Sequence, residues 1–256
     1  MIEKLIICGD SYASGIGLDE SYNLEKSFGG LISEKLNISS INYSRAGICN
    51  FGIFLQVKKS IEDNVNNLDK SLIIISLTQS SRLMIASENI TSTDLNLSNV
   101  DYINNRPFSY NEKRKRDVPF TLNKNPKLFS QTILDVLAHL NNKVSGAMES
   151  AYKILPKYKI ETLGQYIQDV YSDPIKDEYD VALVARTHLL LKMNNIKHMF
   201  LGTPRSKFDF VPDENFCEVN WREISDKYPD EIGSSHCNEI GHEIVRDLIL
   251  NKISNE

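Results

Sequence analysis

Several kinds of chemistry are missing from this sequence. Its four cysteines, Cys8, Cys49, Cys217 and Cys237, include no Cys-x-x-Cys pair. That argues against a disulfide framework and a cysteine-ligated metal, and reduced thiols in a cytoplasmic protein are the expectation. There is no His-x-x-x-His or His-Glu-x-x-His pair, so no metal site is expected. No Gly-x-Gly-x-x-Gly follows the first apolar run and no Walker A lysine is present, which removes the usual nucleotide cradles, and no cofactor is expected. Positive charge is short as well. Lys and Arg number 29 against 34 Asp and Glu, a formal net charge of −5, so the surface is a poor general trap for nucleic acid, whose backbone is bound mainly through Lys and Arg. No apolar run has the length a membrane-spanning helix needs, and membrane insertion is not expected. The opening residues, "MIEKLIIC", lack a basic region followed by a long apolar stretch and read as a first strand rather than a signal peptide.

What remains is an ordinary globular composition, 41% hydrophobic and 25% charged over 256 residues. The chain alternates. A strand is expected over Leu5–Cys8, a helix over Asn23–Leu36, a strand over Ile38–Tyr43, a helix over Phe51–Val65 and a strand over Ser71–Leu77. This last run, "SLIIISL", is apolar without alternation, as a parallel strand covered on both faces should be. Residues 87–127 are rich in Asn, Ser, Asp and Lys and show no periodicity. They read as an insertion between core elements, with "NEKRKRD" as its charged tip. Long loops of this kind are often lids or binding loops, and a solvated excursion explains the charge run equally well. Helices are expected again over Ser130–Leu155, Thr162–Tyr171 and Tyr179–Asn194, then a strand within 196–204 and a final amphipathic helix over Asn238–Ile253 with Asn238 as its N-cap. Alternation of this sort predicts a single α/β domain spanning residues 1–256, a three-layer α/β/α sandwich around a mainly parallel sheet.

Ligands of such sheets bind beyond the carboxyl ends of the strands. Four short stretches then share one rim: Gly9-Asp10-Ser11, Ala46-Gly47, Thr78-Gln79-Ser80 and Gly202-Thr203. Ser11 has the place of a nucleophile, at a strand end and flanked by glycines, although Gly, Asp and Ser also favour plain turns. Gly47 closes "INYSRAG", where a backbone N–H could face a ligand or simply start a helix. Of the five histidines, His139, His188 and His242 fall in expected helices and His198 in a strand, which suits structural roles. His236 stands in the loop before the last helix and is the better candidate base.

Together these pieces resemble the SGNH hydrolases, the GDSL family of esterases and acylhydrolases. "ICGDSYASGIG" at 7–17 is similar to the family's first block, "INYSRAG" at 41–47 to its second and "HCNEIGHEI" at 236–244 to its last. The matches come in order and span most of the chain, while residues 84–195 match no family motif. The resemblance implies a flavodoxin-like fold and hydrolysis of an ester, acyl or acetyl, through a Ser11 acyl-enzyme, with a small-molecule or carbohydrate ester as substrate. Ser11 would be the nucleophile and would also give an oxyanion-hole N–H, Gly47 would give a second N–H, and His236 would be the general base. A binding protein on the same fold with little catalysis, and an acyltransferase using the same residues, are the alternative expectations.

The chain departs from the family twice. The asparagine of the third block is missing where the third strand runs into "SLTQSSR", leaving Ser80, Gln79 or Asn50 as the side-chain oxyanion donor. The aspartate expected two or three residues before the histidine is replaced by Gly233 and Ser234. The nearest acids are Asp230 and Glu231, and their distance along the chain favours a Ser-His dyad oriented by a backbone carbonyl.

Overall fold

The structure is a computed structural model that describes residues 2–18, 24–79, 82–86, 90–102, 128–132, 162, 164–167, 169–231 and 236–254. Its centre is a five-stranded parallel sheet in the order β2-β1-β3-β7-β8. The strands are β1 (Lys4–Cys8), β2 (Ser39–Asn42), β3 (Ser71–Ser76), β7 (Lys197–Gly202) and β8 (Phe216–Glu218). Helices α1 (Phe28–Leu36) and α5 (Glu239–Ser254) pack together, and so do α2 (Asn50–Asp63) and α3 (Asp173–Met193). A short helix, α4 (Trp221–Lys227), follows β8. The protein thus has an α/β fold with a mainly parallel central sheet flanked by helices, as the alternation predicts.

Two apolar cores explain why the central strands carry no polar alternation. Successive side chains of a strand point to opposite faces. Leu5 and Ile7 of β1 enter the core with Phe28, Ile32, Val245 and Ile249. Ile6 and Cys8 enter the other, with Ile53, Val57, Leu183 and Val184. All six residues of β3 are buried, and truncating one of its isoleucines to alanine would cost about 2–5 kcal/mol.

Helix limits differ from the expectation where capping outranks periodicity. The first helix begins at Phe28 rather than at residue 23, which lies outside the described residues. Ser27 holds an extended φ/ψ and its side chain accepts from the Gly30 N–H, satisfying one of the orphan donors of the first turn. Asn37, in the left-handed region at φ 53°, ends the helix by donating to the Glu34 carbonyl. Asn238 caps α5 as expected, its side chain accepting from the Gly241 N–H at 3.4 Å.

The larger correction concerns the middle of the chain. Residues 128–132, expected to open a helix at Ser130, form strand β6 (Leu128–Thr132). It pairs antiparallel with β4 (Arg82–Ala86) and parallel with β5 (Val100–Tyr102) in a second, three-stranded sheet. Short runs such as "LFSQT" carry too few residues for periodicity to separate strand from helix. The charged tip at 111–117 and the rest of the expected 130–155 helix lie outside the described residues. Among the described residues, no helix is long and apolar enough to cross a membrane.

Candidate active site

The sheet order reverses between β1 and β3, since β1 leads outward to β2 while β3 leads to β7 and β8. A crevice at the carboxyl ends of β1 and β3 follows from that topology, and Gly9-Asp10-Ser11 and Leu77-Thr78 occupy it.

The exit of β1 is held by partners remote in sequence. Gln56, fully buried on α2, accepts from the Gly9 N–H at 2.6 Å and donates to the Gly9 carbonyl at 3.1 Å. The Arg45 N–H also donates to the Gly9 carbonyl at 3.0 Å. A Cβ at Gly9 would stand 2.7 Å from Ala13 Cβ and 2.8 Å from Ser76 Cβ, so the site excludes any larger residue. From there the chain winds into a tight turn, in which the Ser14 N–H donates to the Asp10 carbonyl and the Ile16 N–H to the Ser11 carbonyl.

Asp10 is buried and accepts from the Tyr12 N–H at 3.1 Å, from Thr78 Oγ1 at 2.8 Å and from Arg82 at 3.3 Å. The same Arg82 nitrogen donates to the Ile48 carbonyl at 3.0 Å. One guanidinium therefore joins the turn that carries Ser11 to the loop that carries Gly47, whose φ of 75° suits glycine and turns that loop sharply. The sequence reading counted Asp10 as a turn former and passed over Arg82 and Gln56. A glutamine on the apolar face of an amphipathic helix was the available signal for the latter.

Asn50 is not placed to serve an oxyanion. Its amide nitrogen donates to the Thr78 carbonyl and to Asp180 Oδ2, each at 3.0 Å, and its oxygen accepts from the Thr78 N–H at 3.0 Å. Both amide hydrogens are thereby committed, and the residue is a clamp between α2, the end of β3 and α3. Asp180 is buried, which raises its carboxyl above the usual range, and Lys176 holds it at 2.6 Å. Gln79 is exposed and Ser80 lies outside the described residues.

His236 is reached from the other end of the chain. The Asp230 N–H donates to the His236 carbonyl and the Asn238 N–H to the Tyr228 carbonyl, both at 2.9 Å, around an antiparallel bridge between Pro229 and Cys237. Asp230 and His236 are thus opposite one another in a hairpin, the arrangement that brings side chains of a cross-strand pair together. Both face Gly17. A Cβ there would lie 2.8 Å from Asp230 Oδ2, 3.1 Å from His236 Cβ and 3.2 Å from Asp230 Cβ, and φ at Gly17 is +90°. The His236 ring also lies 4.8 Å from the Tyr12 ring, which stacks at 4.7 Å on Trp221. The hairpin therefore packs on both ends of the turn that contains Ser11. Chain distance disfavoured Asp230 as the orienting acid, but the hairpin closes that distance. Glu231 is exposed, and Gly233 and Ser234 lie outside the described residues.

Two other placements bear on the chemistry. Ser11 is only 3% exposed, less open than a serine expected at the lip of a sheet. His242 is fully buried, with Nδ1 accepting from the Phe28 N–H at 3.2 Å. Burial, with a smaller push from His236, lowers its pKa to about 3, so it is neutral at ordinary pH and bound into the α1–α5 contact. His188 and His198 are buried against each other at 2.9 Å, and His139 lies outside the described residues. A cleft of about 940 Å³ opens between α1 and the edge strand β2, where Glu25, Glu34 and Ser39 line it and Ser11 and His236 do not. Among the described residues, no group of three or more His, Cys, Asp and Glu could hold a metal ion.

No model of a known protein family matches the chain, and no curated protein matches it. Solved structures with a related arrangement include the psychrotrophic esterase EstA from Pseudoalteromonas sp., in a form inhibited by monoethylphosphonate. That chain is 13% identical over 99% of this chain and 97% of its own, with a TM-score of 0.43. A second is a carbohydrate esterase described as having an active site with divergent catalytic and non-catalytic binding functions. It is 10% identical over 99% of this chain and 69% of its own, with a TM-score of 0.45.

Proposed function

We propose that the protein is an SGNH-type serine esterase that hydrolyses a small acyl or acetyl ester through Ser11, His236 and Asp230. The observation that carries the reading is the Asp230–His236 pair, held across a hairpin and packed against Gly17 and Tyr12 of the turn that contains Ser11. In this reading His236 takes the proton of the Ser11 hydroxyl as its oxygen attacks the ester carbonyl carbon. The N–H groups of Ser11 and Gly47 receive the negative oxygen of the tetrahedral intermediate. Collapse breaks the ester bond, and His236 returns the proton to the departing alcohol. Water, deprotonated by His236, then releases the acid and restores Ser11. Asp230 holds the imidazole in the tautomer that accepts from serine, the part that an acid plays in such triads. The chain acts as one domain with 87–127 as an insertion that shapes the pocket, and four buried free thiols suit a reducing compartment.

A second reading, a binding protein on the same fold, is favoured by the 3% exposure of Ser11 and by the commitment of Asn50. Incubation with a fluorophosphonate separates the two. A covalent adduct on Ser11, together with turnover of p-nitrophenyl acetate that is lost in Ser11→Ala, supports the esterase. A folded protein with neither adduct nor turnover belongs to the second reading.

A further inference from the structure

Helix α3, 21 residues from Asp173 to Met193, carries apolar side chains on two faces where a surface helix ordinarily carries them on one. The first is buried: Asp180, Leu183, Val184, Thr187, His188 and Leu191 face α2 and β7. The second is open. Ile175 is 72% exposed, Tyr179 49%, Leu189 56% and Met193 82%. With Ala182 and Arg186 between them, also exposed, these residues follow one another at spacings of four and three. That is the repeat of a coiled-coil seam, sustained over about 27 Å of helix. Arg186, at the middle of the stripe, lays its guanidinium over the Phe54 ring at 4.8 Å and so turns away from the seam toward its own α2.

We propose that this stripe pairs with the same stripe of a second copy of the chain, the two α3 helices running antiparallel about a two-fold axis. The sequence of the stripe is self-complementary in that direction. Ile175 meets the second copy's Met193, Tyr179 meets Leu189 and Ala182 meets Arg186, so large side chains close both ends and a small one marks the crossing. The flanking charges choose the same direction. Glu178 and Lys192 are both exposed and lie on the same edge of the seam, one near each end. In the antiparallel pair each Glu178 faces the other copy's Lys192, twice over by symmetry. On that edge Ala185 faces its own copy across the axis. A parallel pair would set each of these charges away from its complement. Such an interface is isologous and closes at two subunits. One helix pair lies at the low end of the area of specific interfaces, so the association is reversible and depends on concentration.

The test is sedimentation of the full chain over ~1–100 μM. A monomer–dimer equilibrium is expected. Leu189→Glu should weaken it at least ~10-fold, since it places a charge in an apolar layer. Glu178→Lys and Lys192→Glu should each weaken it by a smaller factor, and the two together should restore it, because the reversed charges again face each other. Ala185→Cys should form an intermolecular disulfide under mild oxidation. Circular dichroism of each variant checks folding, and Glu178, Leu189 and Lys192 are exposed, so their substitution leaves the core intact. A monomer throughout the range overturns the proposal, as does a dimer indifferent to Leu189→Glu and the charge reversals, which would place its interface elsewhere. Slow thiol labelling of Leu189→Cys in a monomer would assign the covering to this chain's own residues and equally overturn it.

Discussion

The turn after β1 and the hairpin before α5 meet at one rim, yet they are built by different means. The turn is held by side chains from far along the chain: Gln56 on both polar groups of Gly9, and Thr78 and Arg82 on Asp10. The hairpin is held by its own backbone, through the pairing of 228–230 with 236–238. A buried polar network of the first kind fixes a position closely, because each unmet partner costs the full desolvation of its group. A short backbone pairing sets which residues are neighbours and relies on packing against Gly17 and Tyr12 to set where they stand. The proposed nucleophile thus sits on the tightly tied element and the proposed base on the one tied more locally.

The largest effect should come from removing the reacting groups on either element. Ser11→Ala and His236→Ala should each lower kcat for p-nitrophenyl acetate by about 10⁴-fold or more, and the pair together should lose little beyond either alone. Wild-type turnover in either variant would refute the assignment. Asp230→Asn follows, with an expected loss of up to ~10⁴-fold in kcat from a wrongly held imidazole, while Glu231→Gln should remain within about twofold. Equal, small effects of both would return the site to a dyad.

The contact between the two elements can be strained without removing a reacting group. Gly17→Ala would force a Cβ to within 2.8 Å of Asp230 Oδ2 at a φ that alanine rarely adopts. A loss of ~10²-fold in kcat is expected, the size typical of a misplacement near 1 Å. Unchanged kinetics would show that the hairpin does not rely on this turn. On the tightly tied side, Gln56→Ala takes the partner from the Gly9 N–H and leaves the Gly9 carbonyl with the Arg45 N–H, and should cost about 1–3 kcal/mol of stability, read by denaturant unfolding.

The smallest effect per unit change is a pH dependence. His242 has a pKa near 3 in the folded chain against 6.5 for an unperturbed histidine. The unfolded chain therefore binds the additional proton, and the His242 contribution is complete above pH 6.5 and falls as the solution is acidified toward pH 3. The slope is about 1.4 kcal/mol per pH unit for one proton. Burial also lowers His188 and His198, and they act in the same direction. His242→Gln should flatten the profile, and an unchanged slope would assign the acid sensitivity to other groups.

The α/β plan was legible in the order of residues alone. A strand buried on both faces must be apolar at every position, and Ser71–Ser76 announces this. The helices around it carry their faces in a 3.6-residue period and can be read the same way. The rim stretches at Gly9, Gly47 and Gly202 were legible there too, with Ser11 and His236 as candidates, since turn residues at strand ends are local features. The second sheet was not legible in it, since strands of three to five residues are too short to show a period. The partners of the rim came with the folded chain. Arg82 reaches Asp10 and Ile48 because β3, the strand before it in the chain, pairs beside β1. Asn50 spends its amide on Thr78 and Asp180 because α2 starts under β3 and beside α3. Asp230 becomes the neighbour of His236 because a hairpin folds the chain back on itself. Side-chain hydrogen bonds between distant residues have no period and no fixed spacing, so they come into being only when the backbone has closed around them.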